Sequence, residues 1–399
     1  MSSSDTPSPD IFVEVFGRTD VGRTREHNED AFAVADLTSD NATLQPEVRS
    51  HKVGAKGSLF MVADGMGGAA AGEIASDMAV KVVLNEMRGR WLAEAEATKE
   101  AFARSIKNAA KSANGAIHDY ATSHPEFRGM GTTATIAGLL GDTLYLAQVG
   151  DSRAYLVRGG VVRQITKDQS LMQKLIEAGE LTEEEAELSE RRNIILQALG
   201  PEPSIKVDLT HQQLRRGDTL VLCSDGLSGQ VGKDDIARIV STAPDLMTAC
   251  KSLIDRANEN GGPDNITVIL AQFDGPGLRD ANDNDEVGHR VYPLNDTGKT
   301  PAMPLDRVVD PDAITQPVEV PVRPRVTPRP DLPHPSRTAK KKKTDDSVDV
   351  PGDRRSIGLL IAIALGALLV LGAAYYAVQL SRVRADTTSL GAPPGSPRH

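Results

Sequence analysis

The alternation of apolar and polar positions predicts that residues 11–274 form one folded domain of strands and helices. Short apolar runs between turn residues, which are typical of strands, occur at 11–16, 59–62, 133–140, 143–149, 154–157, 219–223 and 266–273. Apolar residues recur at helical spacing in 73–87, 93–120 and 234–258. The Gly141-Asp142 and Gly159-Gly160 turns would join neighbouring runs as hairpins, so we expect antiparallel sheets with helices packed on them, the α+β class.

A change of composition marks the end of this domain. Thirteen of the 24 prolines lie between Pro276 and Pro351, and this density is incompatible with helices or inner strands. We therefore expect residues 275–355 to be a disordered, Pro-rich linker. Residues 1–10 are rich in Ser, Pro and Asp without the apolar segment of a secretory signal, so we expect a disordered N-terminus.

A continuous apolar segment follows the linker. Residues 357–380 carry no charged side chain, and as a helix they would extend about 36 Å, enough to cross a hydrocarbon layer. A helix buried in a protein core is the alternative, but the short tail at 382–399 offers no partner domain. We therefore expect a transmembrane helix at 356–381.

The basic residues beside this segment predict its orientation. Six of them precede it within 340–355, against three that follow it, Arg382, Arg384 and Arg398. Cytoplasmic flanks are enriched in Lys and Arg, so the domain at 11–274 is expected in the cytoplasm, held at the cell (inner) membrane by a single span. The lysine run at 340–343 would either contact anionic membrane lipid or be a solvated charge run.

Charge and cysteine content exclude several classes of protein. The chain of 399 residues has a net charge of −10, whereas a nucleic-acid binder usually carries a basic patch, so nucleic acid is not expected as a partner. Two cysteines, Cys223 and Cys250, are too few for a disulfide framework or a four-thiolate zinc site. Both are expected to be reduced thiols.

The most distinctive local sequence is Val62-Ala-Asp-Gly-Met-Gly-Gly, in which an apolar run ends in Asp64 and a glycine-rich turn leads into a helix. One interpretation is a dinucleotide-binding loop, but Glu86 would then lie inside a helix, and the hairpins remove the βαβ setting that such a loop needs. A second is a metal site formed by a carboxylate and a backbone carbonyl. A plain tight turn is the third.

Acidic residues recur where other apolar runs begin or end. Asp151, Asp225 and Asp264 adjoin predicted strands, and Glu29 and Asp30 follow a turn. Each alone is typical of an ordinary turn, but carboxylates gathered at one sheet edge would repel one another unless cations neutralise them. Oxygen ligands without His or Cys favour Mg²⁺ or Mn²⁺ over Zn²⁺, and two such ions would activate a water for in-line attack.

Taken together, these segments resemble the motifs of bacterial metal-dependent protein Ser/Thr phosphatases of type 2C. The motifs are R-x-x-N-E-D from Arg25, D-G-M-G-G-x-x-x-G-E-x-A-S from Asp64, G-T-T from Gly131, G-D-S-R from Gly150, S-D-G-L from Ser224 and G-G-x-D-N-I-T from Gly261. The resemblance as a whole covers roughly residues 13–273 of the chain. The resemblance implies a sandwich of two antiparallel β-sheets flanked by helix pairs, with a metal centre in a cleft at one end.

The resemblance also implies the metal ligands. Asp64 would bridge two Mg²⁺ or Mn²⁺ ions, and Gly65 would ligate through its carbonyl. Asp225 and Asp264 would complete the protein ligands of the second ion. Asp225 together with Asp151 would form a third, weaker metal site.

Other matched residues are implied to surround these ligands. Glu29 and Asp30 would hold metal-bound waters, and Arg25 would bind the substrate phosphate through its planar guanidinium. Animal members have a histidine directly after the D-G pair, proposed to protonate the leaving oxygen, whereas this chain has Met66 there. The general acid therefore stays open, with a metal-bound water as one option. Residues 166–199 resemble the flap, a mobile segment near the cleft.

The activity implied is that of a protein serine/threonine phosphatase acting on cytoplasmic proteins, with Arg25, Asp64 and Asp225 as its catalytic residues. A water activated by the two metal ions would hydrolyse phosphoserine and phosphothreonine. Phosphorylated proteins, a cognate Ser/Thr kinase and membrane lipid would be its partners. Two alternatives stay open: an inactive membrane scaffold that binds phosphoproteins, and a phosphatase for a different phosphorylated regulator.

Overall fold

The computed structural model describes residues 10–39, 49–189 and 191–294, which contain twelve strands and seven α-helices. The strands are β1 (Phe12–Asp20), β2 (Asp30–Asp36), β3 (Arg49–Lys52), β4 (Ser58–Met66), β5 (Gly131–Thr132), β6 (Ala134–Leu140), β7 (Thr143–Val149), β8 (Arg153–Arg158), β9 (Val161–Gln164), β10 (Asp208–Gln213), β11 (Thr219–Cys223) and β12 (Ile266–Asp274). The helices are α1 (Ala69–Glu86), α2 (Lys99–Ser123), α3 (Leu171–Glu177), α4 (Glu183–Glu187), α5 (Asp225–Ser228), α6 (Lys233–Thr242) and α7 (Leu246–Glu259).

The strands form two antiparallel sheets, as the hairpin turns predicted. One sheet has the order β3-β1-β12-β11-β8-β9 and the other the order β10-β7-β6-β4-β2, with β5 added beside β4. The sheets pack face to face through apolar side chains of both, and Phe60 of β4 meets Phe273 of β12 edge to face with the ring centroids 6.4 Å apart. This buried layer holds the strand ends of the two sheets in fixed relative positions.

Helices cover the outer face of each sheet. The buried alanines of α1 and α2 pack on the β4 sheet, and α6 and α7 pack on the β12 sheet through Ile236, Leu253 and their neighbours. The result is a four-layer domain, helices–sheet–sheet–helices. The α+β class and the sandwich flanked by helix pairs are therefore confirmed for the described residues.

The prediction of one long helix at 234–258 was wrong, because the structure divides it into α6 and α7. Pro244 cannot donate a backbone hydrogen bond to a continuing helix. The side chain of Asp245 instead accepts a hydrogen bond of 2.6 Å from the Thr248 N–H and caps α7. Similarly, the helix expected from residue 93 begins at Lys99, because Thr98 caps it.

A second correction concerns residues 275–294, which were expected to belong to the linker. They pack against the domain, and we call them the strap. Asp285 pairs with the buried Arg215 at 2.5 Å, and the backbone of Arg290 and Tyr292 hydrogen bonds with His211 and Leu209 of β10. The prediction of a disordered linker was wrong for these residues, because Pro276 and Pro293 bracket a segment of mixed charge whose polar side chains find specific partners only in the folded domain.

The strap thus continues from the end of β12 in one sheet to the end strand β10 of the other. The ring of Tyr292 packs edge to face on Tyr145, with the centroids 5.2 Å apart.

Among the described residues, no helix is both long enough and apolar enough to cross a membrane. The predicted span at 356–381, most of the predicted linker, the tail at 382–399 and residues 1–9 lie outside the described residues. Cys223 and Cys250 are buried and free.

Candidate metal centre and phosphate site

The acidic residues singled out from the sequence converge at one edge of the sandwich. Asp30 begins β2 and pairs in register with Asp64 near the end of β4. In the other sheet, β11 and β12 are neighbouring strands; Asp225 follows β11, and Asp264 precedes β12. Asp151 follows β7. The Asp64 carboxyl interacts electrostatically with each of the other four aspartates, which places all five in one cluster.

Asp30 is held in place by hydroxyl groups from the opposite sheet. Its Oδ2 accepts hydrogen bonds from Ser224 Oγ at 2.8 Å and from Thr267 Oγ1 at 2.6 Å. Its Oδ1 is buried and has no hydrogen-bond partner among the described residues. One oxygen is thus fixed by the protein, while the other is left as an acceptor facing the cluster.

Asp64 is positioned through its backbone. Its N–H donates to Thr133 Oγ1 at 3.0 Å, and its carbonyl accepts from Thr132 Oγ1 at 2.9 Å. The next residue, Gly65, lies so close to its surroundings that a Cβ there would be 2.2 Å from the carbonyl oxygen of Gly72. Only glycine therefore fits at position 65, where β4 packs against α1. This close packing explains Gly65 without a bound dinucleotide.

The dinucleotide interpretation is excluded by the setting of this turn. β4 pairs antiparallel with both of its neighbours, and Glu86 is the last residue of α1, where it pairs with Arg90 at 2.8 Å.

Asp225 and Asp264 complete the cluster from the β12 sheet. The Asp225 carboxyl interacts electrostatically with those of Asp264 and Asp64. Gly226 lets the chain beside Asp225 approach Asn265 closely, because a Cβ there would be 1.9 Å from the carbonyl oxygen of Asn265. Asp264 Oδ1 accepts from the Asn265 N–H at 2.8 Å.

Arg25 lies at the rim of the cluster. Its Nη2 donates to Asp264 Oδ2 at 2.8 Å, and its Nη1 is 3.8 Å from Oε1 of the buried Glu29. Its side chain is 47% exposed, so the guanidinium faces solvent as well as the carboxyl groups. Such a group can clamp an incoming phosphate from the open side.

Asn265 connects the turn that carries Arg25 to β12, and sequence reasoning did not single it out. Its Oδ1 accepts from the Glu29 N–H at 2.8 Å. Its Nδ2 donates to the carbonyls of Val21 at 3.0 Å and His27 at 2.9 Å. Asn265 belongs to the G-G-x-D-N-I-T motif. An amide side chain directly after Asp264 in this motif was the sequence signal that could have identified it.

Burial and mutual repulsion shift the pKa values of these carboxyl groups upward. Burial raises the pKa of Asp30 to about 7, opposed by the hydroxyl donors and reinforced by Asp225 and Asp264. Burial and the charge of Asp225 raise the pKa of Asp151 to about 8. Burial and the charge of Asp264 raise the pKa of Asp225. Burial and the charges of the other four aspartates hold the pKa of Asp64 well above its ordinary value. A cation would relieve both the burial and the repulsion.

The donor set fits hard divalent cations. The buried oxygens Asp30 Oδ1 and Asp151 Oδ1 have no hydrogen-bond partner among the described residues. All the converging side-chain donors are oxygens, the ligand type that Mg²⁺ and Mn²⁺ prefer. Within residues 10–39, 49–189 and 191–294, no group of three or more His, Cys, Asp or Glu side chains is arranged so that it could hold a metal ion. The individual ligand assignments of Asp64, Gly65, Asp225, Asp264 and Asp151 therefore stay predictions.

The four-layer sandwich thus places an edge of buried carboxylates beside the half-exposed Arg25. The family described as "Protein phosphatase 2C" matches residues 38–271, and the chain belongs to this family.

Curated relatives agree with this membership. The serine/threonine phosphatase stp of Listeria monocytogenes is 38% identical over 257 residues, covering 64% of this chain and 94% of the relative. The serine/threonine protein phosphatase PstP of Mycobacterium tuberculosis is 36% identical over 266 residues, covering 65% of this chain and 45% of the relative.

Solved structures match the same part of the chain. The catalytic domain of PstP in complex with two manganese ions is 33% identical, with a TM-score of 0.54, and the match covers 66% of this chain and 99% of that one. The S. agalactiae serine/threonine phosphatase is also 33% identical, with a TM-score of 0.57, over 65% of this chain and 98% of that one.

Proposed function

We propose that this chain is a metal-dependent protein serine/threonine phosphatase that hydrolyses phosphoserine and phosphothreonine esters. The observation that carries the proposal is the convergence of five aspartates beside the exposed Arg25. Two of these aspartates have buried oxygens for which the described part of the chain offers no hydrogen-bond partner. The relatives named as serine/threonine phosphatases and the two manganese ions of the PstP complex support it.

Asp64, the Gly65 carbonyl, Asp225 and Asp264 would hold two Mg²⁺ or Mn²⁺ ions. When bound, these ions would acidify water and neutralise charge on the phosphoryl group. Asp30 and Glu29 would orient water, since each is buried at the edge of the cluster and is fixed by neighbours from the opposite sheet. The resemblance assigns the weaker third site to Asp151 and Asp225.

Arg25 would bind and orient the phosphate. Its guanidinium is held by Asp264 on one side and is exposed on the other, so it can donate two parallel hydrogen bonds to phosphoryl oxygens. It would also offset negative charge as the phosphoryl group is transferred. Arg25 thus defines the open side from which the phosphorylated side chain enters.

The inactive scaffold is not favoured as an alternative. A scaffold needs no buried carboxylate cluster, and keeping one costs stability through repulsion. This chain retains Asp64 and Asp225, and the structure brings both together.

The test uses the full-length chain in detergent and a phosphothreonine peptide. We expect phosphate release with Mn²⁺ and none after rigorous chelation with EDTA. Asp225→Asn should lower kcat by at least roughly 10²-fold, because one carboxylate supports both cation charge and water acidity. The matched control is Asp235→Asn, an exposed aspartate on α6 that pairs only with Arg238. Unchanged turnover under chelation would contradict the metal-dependent mechanism.

We further propose that residues 356–381 span the membrane and hold the phosphatase domain on the cytoplasmic side. The charge-free segment and the excess of basic residues before it support this proposal. A cognate kinase at the same membrane and anionic lipid would be partners. Protease added to intact spheroplasts should then reach only the tail at 382–399. Digestion of the phosphatase domain under those conditions would overturn this orientation.

A further inference from the structure

Gln169 is a buried polar residue next to the site that none of the matched motifs contains. Its Oε1 accepts a hydrogen bond of 3.0 Å from the Gly150 N–H, and its own N–H donates to the Gly150 carbonyl at 2.9 Å. Both polar groups of Gly150 are therefore bound by the same residue. Gly150 directly precedes Asp151, whose Oδ1 is buried without a partner.

The backbone conformation of Gly150 makes this pair of hydrogen bonds significant. Gly150 has φ +99°, a conformation that L side chains rarely adopt. A Cβ there would also be 2.7 Å from the Thr133 side chain. The turn thus depends on outside contacts to hold one of the many conformations open to glycine. Gln169 supplies two of those contacts, and Gln148 Nε2 supplies another by donating to the Gly150 carbonyl at 3.1 Å.

The nitrogen of the Gln169 amide group contacts the sheet that contains β10 and β7. Its Nε2 donates to Asp208 Oδ2 at 3.0 Å, at the start of β10. Asp208 lies opposite Gln148 of β7 in the sheet register. Gln169 therefore bridges the turn after β7 and the strand that pairs with β7.

Gln169 also joins the two ends of the flap, residues 166–199. Its carbonyl accepts a hydrogen bond of 2.8 Å from the Leu196 N–H. The next residue, Ser170, forms a bridge with Ile195. The entry and exit of the flap therefore meet at the residue that holds the Asp151 turn.

We propose that Gln169 is a positioning residue that fixes Asp151 for the weak cation site and connects that site to the base of the flap. This inference rests on the proposed function only for the assignment of Asp151 to a cation. The contacts to Gly150, Asp208 and Leu196 stand without it.

Two variants of the full-length chain test the proposal. Gln169→Ala removes the acceptor for Gly150 and the donor to Asp208. Gln169→Glu keeps the acceptor but opposes Asp208 with a second carboxylate. Adding Asp208→Asn to Gln169→Glu places a donor opposite the new carboxylate and should restore the bridge. The matched control is Gln173→Ala, since the Gln173 side chain donates to Glu177 on the surface of α3 and has no other hydrogen bond within the described ranges.

The readouts are Mn²⁺ binding, by calorimetry and electron paramagnetic resonance, and trypsin cleavage within the flap at Arg191 and Arg192. We expect Gln169→Ala and Gln169→Glu to weaken the weakest Mn²⁺ site about tenfold, leave the two tight sites within about twofold, and speed flap cleavage. The double variant should return both readouts toward wild type.

Each contrary outcome is decisive. Unchanged affinity at the weak site in Gln169→Ala would overturn the positioning role, and unchanged flap cleavage would overturn the connection to the flap. Wild-type protein that binds only two ions would overturn the assignment of Asp151. If Gln169→Ala fails to fold, as judged by its thermal transition, the Gln169→Glu pair of variants decides the matter. A wild-type chain that binds three ions but releases no phosphate would instead contradict the proposed function.

Discussion

Asp30 on β2 and Asp64 on β4 lie directly opposite each other in the antiparallel register. Like charges at opposed positions of neighbouring strands destabilise a sheet. Here the cost is increased, because Asp225, Asp264 and Asp151 add their charges to the same cluster. The domain therefore gives up stability at this edge to keep acceptors available for cations.

The first prediction concerns the pH dependence of this cost. Burial raises the pKa of Asp30 to about 7, above its ordinary value of 3.8. A carboxyl whose pKa is raised on folding favours the folded state only while it is protonated, so stability is lost as pH rises from about 4 through about 7. In chelated protein, Asp30→Asn should therefore melt a few degrees higher than wild type at pH 8, and no higher at pH 4.

The control for this measurement is Asp283→Asn, an exposed aspartate on the strap. Differential scanning calorimetry across pH 4–8 gives the readout. A lower melting temperature for Asp30→Asn at pH 8 would show that the hydrogen bonds to Ser224 and Thr267 outweigh the repulsion.

The second prediction separates phosphate binding from cation binding. Because Arg25 faces solvent and contacts Asp264 only from the rim, Arg25→Ala should raise KM for a phosphopeptide about tenfold or more. Its Mn²⁺ affinity should stay within about threefold of wild type. Arg23→Ala, an exposed arginine in the same turn, is the control and should change neither value. Loss of Mn²⁺ binding in Arg25→Ala, measured by calorimetry, would instead make Arg25 part of the cation site.

The third prediction concerns Asn265. Asn265→Ala leaves the Glu29 N–H and two carbonyls without their partner, and each such loss costs about 1–3 kcal/mol. We expect a lower free energy of unfolding in urea together with a lower kcat. Asn265→Asp keeps an acceptor for the Glu29 N–H, but it faces both carbonyls with an oxygen and adds a buried carboxylate beside the cluster, so it should be no more stable than the alanine variant. Equal stability of the alanine variant and wild type would show that water replaces the amide.

The fourth prediction concerns the strap. A chain that ends after Asp274 loses the Arg215–Asp285 pair and the packing of Tyr292 on Tyr145. Arg215 is buried and would lose Asp285, the carboxylate that contributes most to its electrostatic surroundings. We expect a lower melting temperature than for a chain that ends after Leu294. If the two truncated chains melt together, the strap contributes nothing to stability.

The pattern of the chain predicted antiparallel sheets with helices and placed the acidic residues at strand ends, whereas the two-sheet sandwich was implied only by the resemblance to the type 2C phosphatases. Asp225 and Asp264 adjoin continuous apolar runs, which are typical of buried strands. Their position at the ends of buried strands could therefore be predicted from the sequence alone.

Other features depend on tertiary contacts that periodicity does not record. The sequence of β10, Asp-Leu-Thr-His-Gln-Gln, is too polar to be recognised as a strand, and it forms one because β7 and the strap lie on either side of it. The role of Gln169 is invisible for the same reason, since its partners Gly150 and Asp208 are far from it in sequence and meet it only in the folded domain.

The strap has a consequence for how the protein behaves in concentrated solution. β10 is the end strand of its sheet, and an uncovered end strand offers unpaired N–H and C=O groups to a second chain. Arg290 and Tyr292 occupy those groups on His211 and Leu209. This segment lies beyond residues 38–271, which the family has in common. By pairing with β10, the strap leaves fewer of those groups available to a second chain, and it does so from outside the carboxylate cluster.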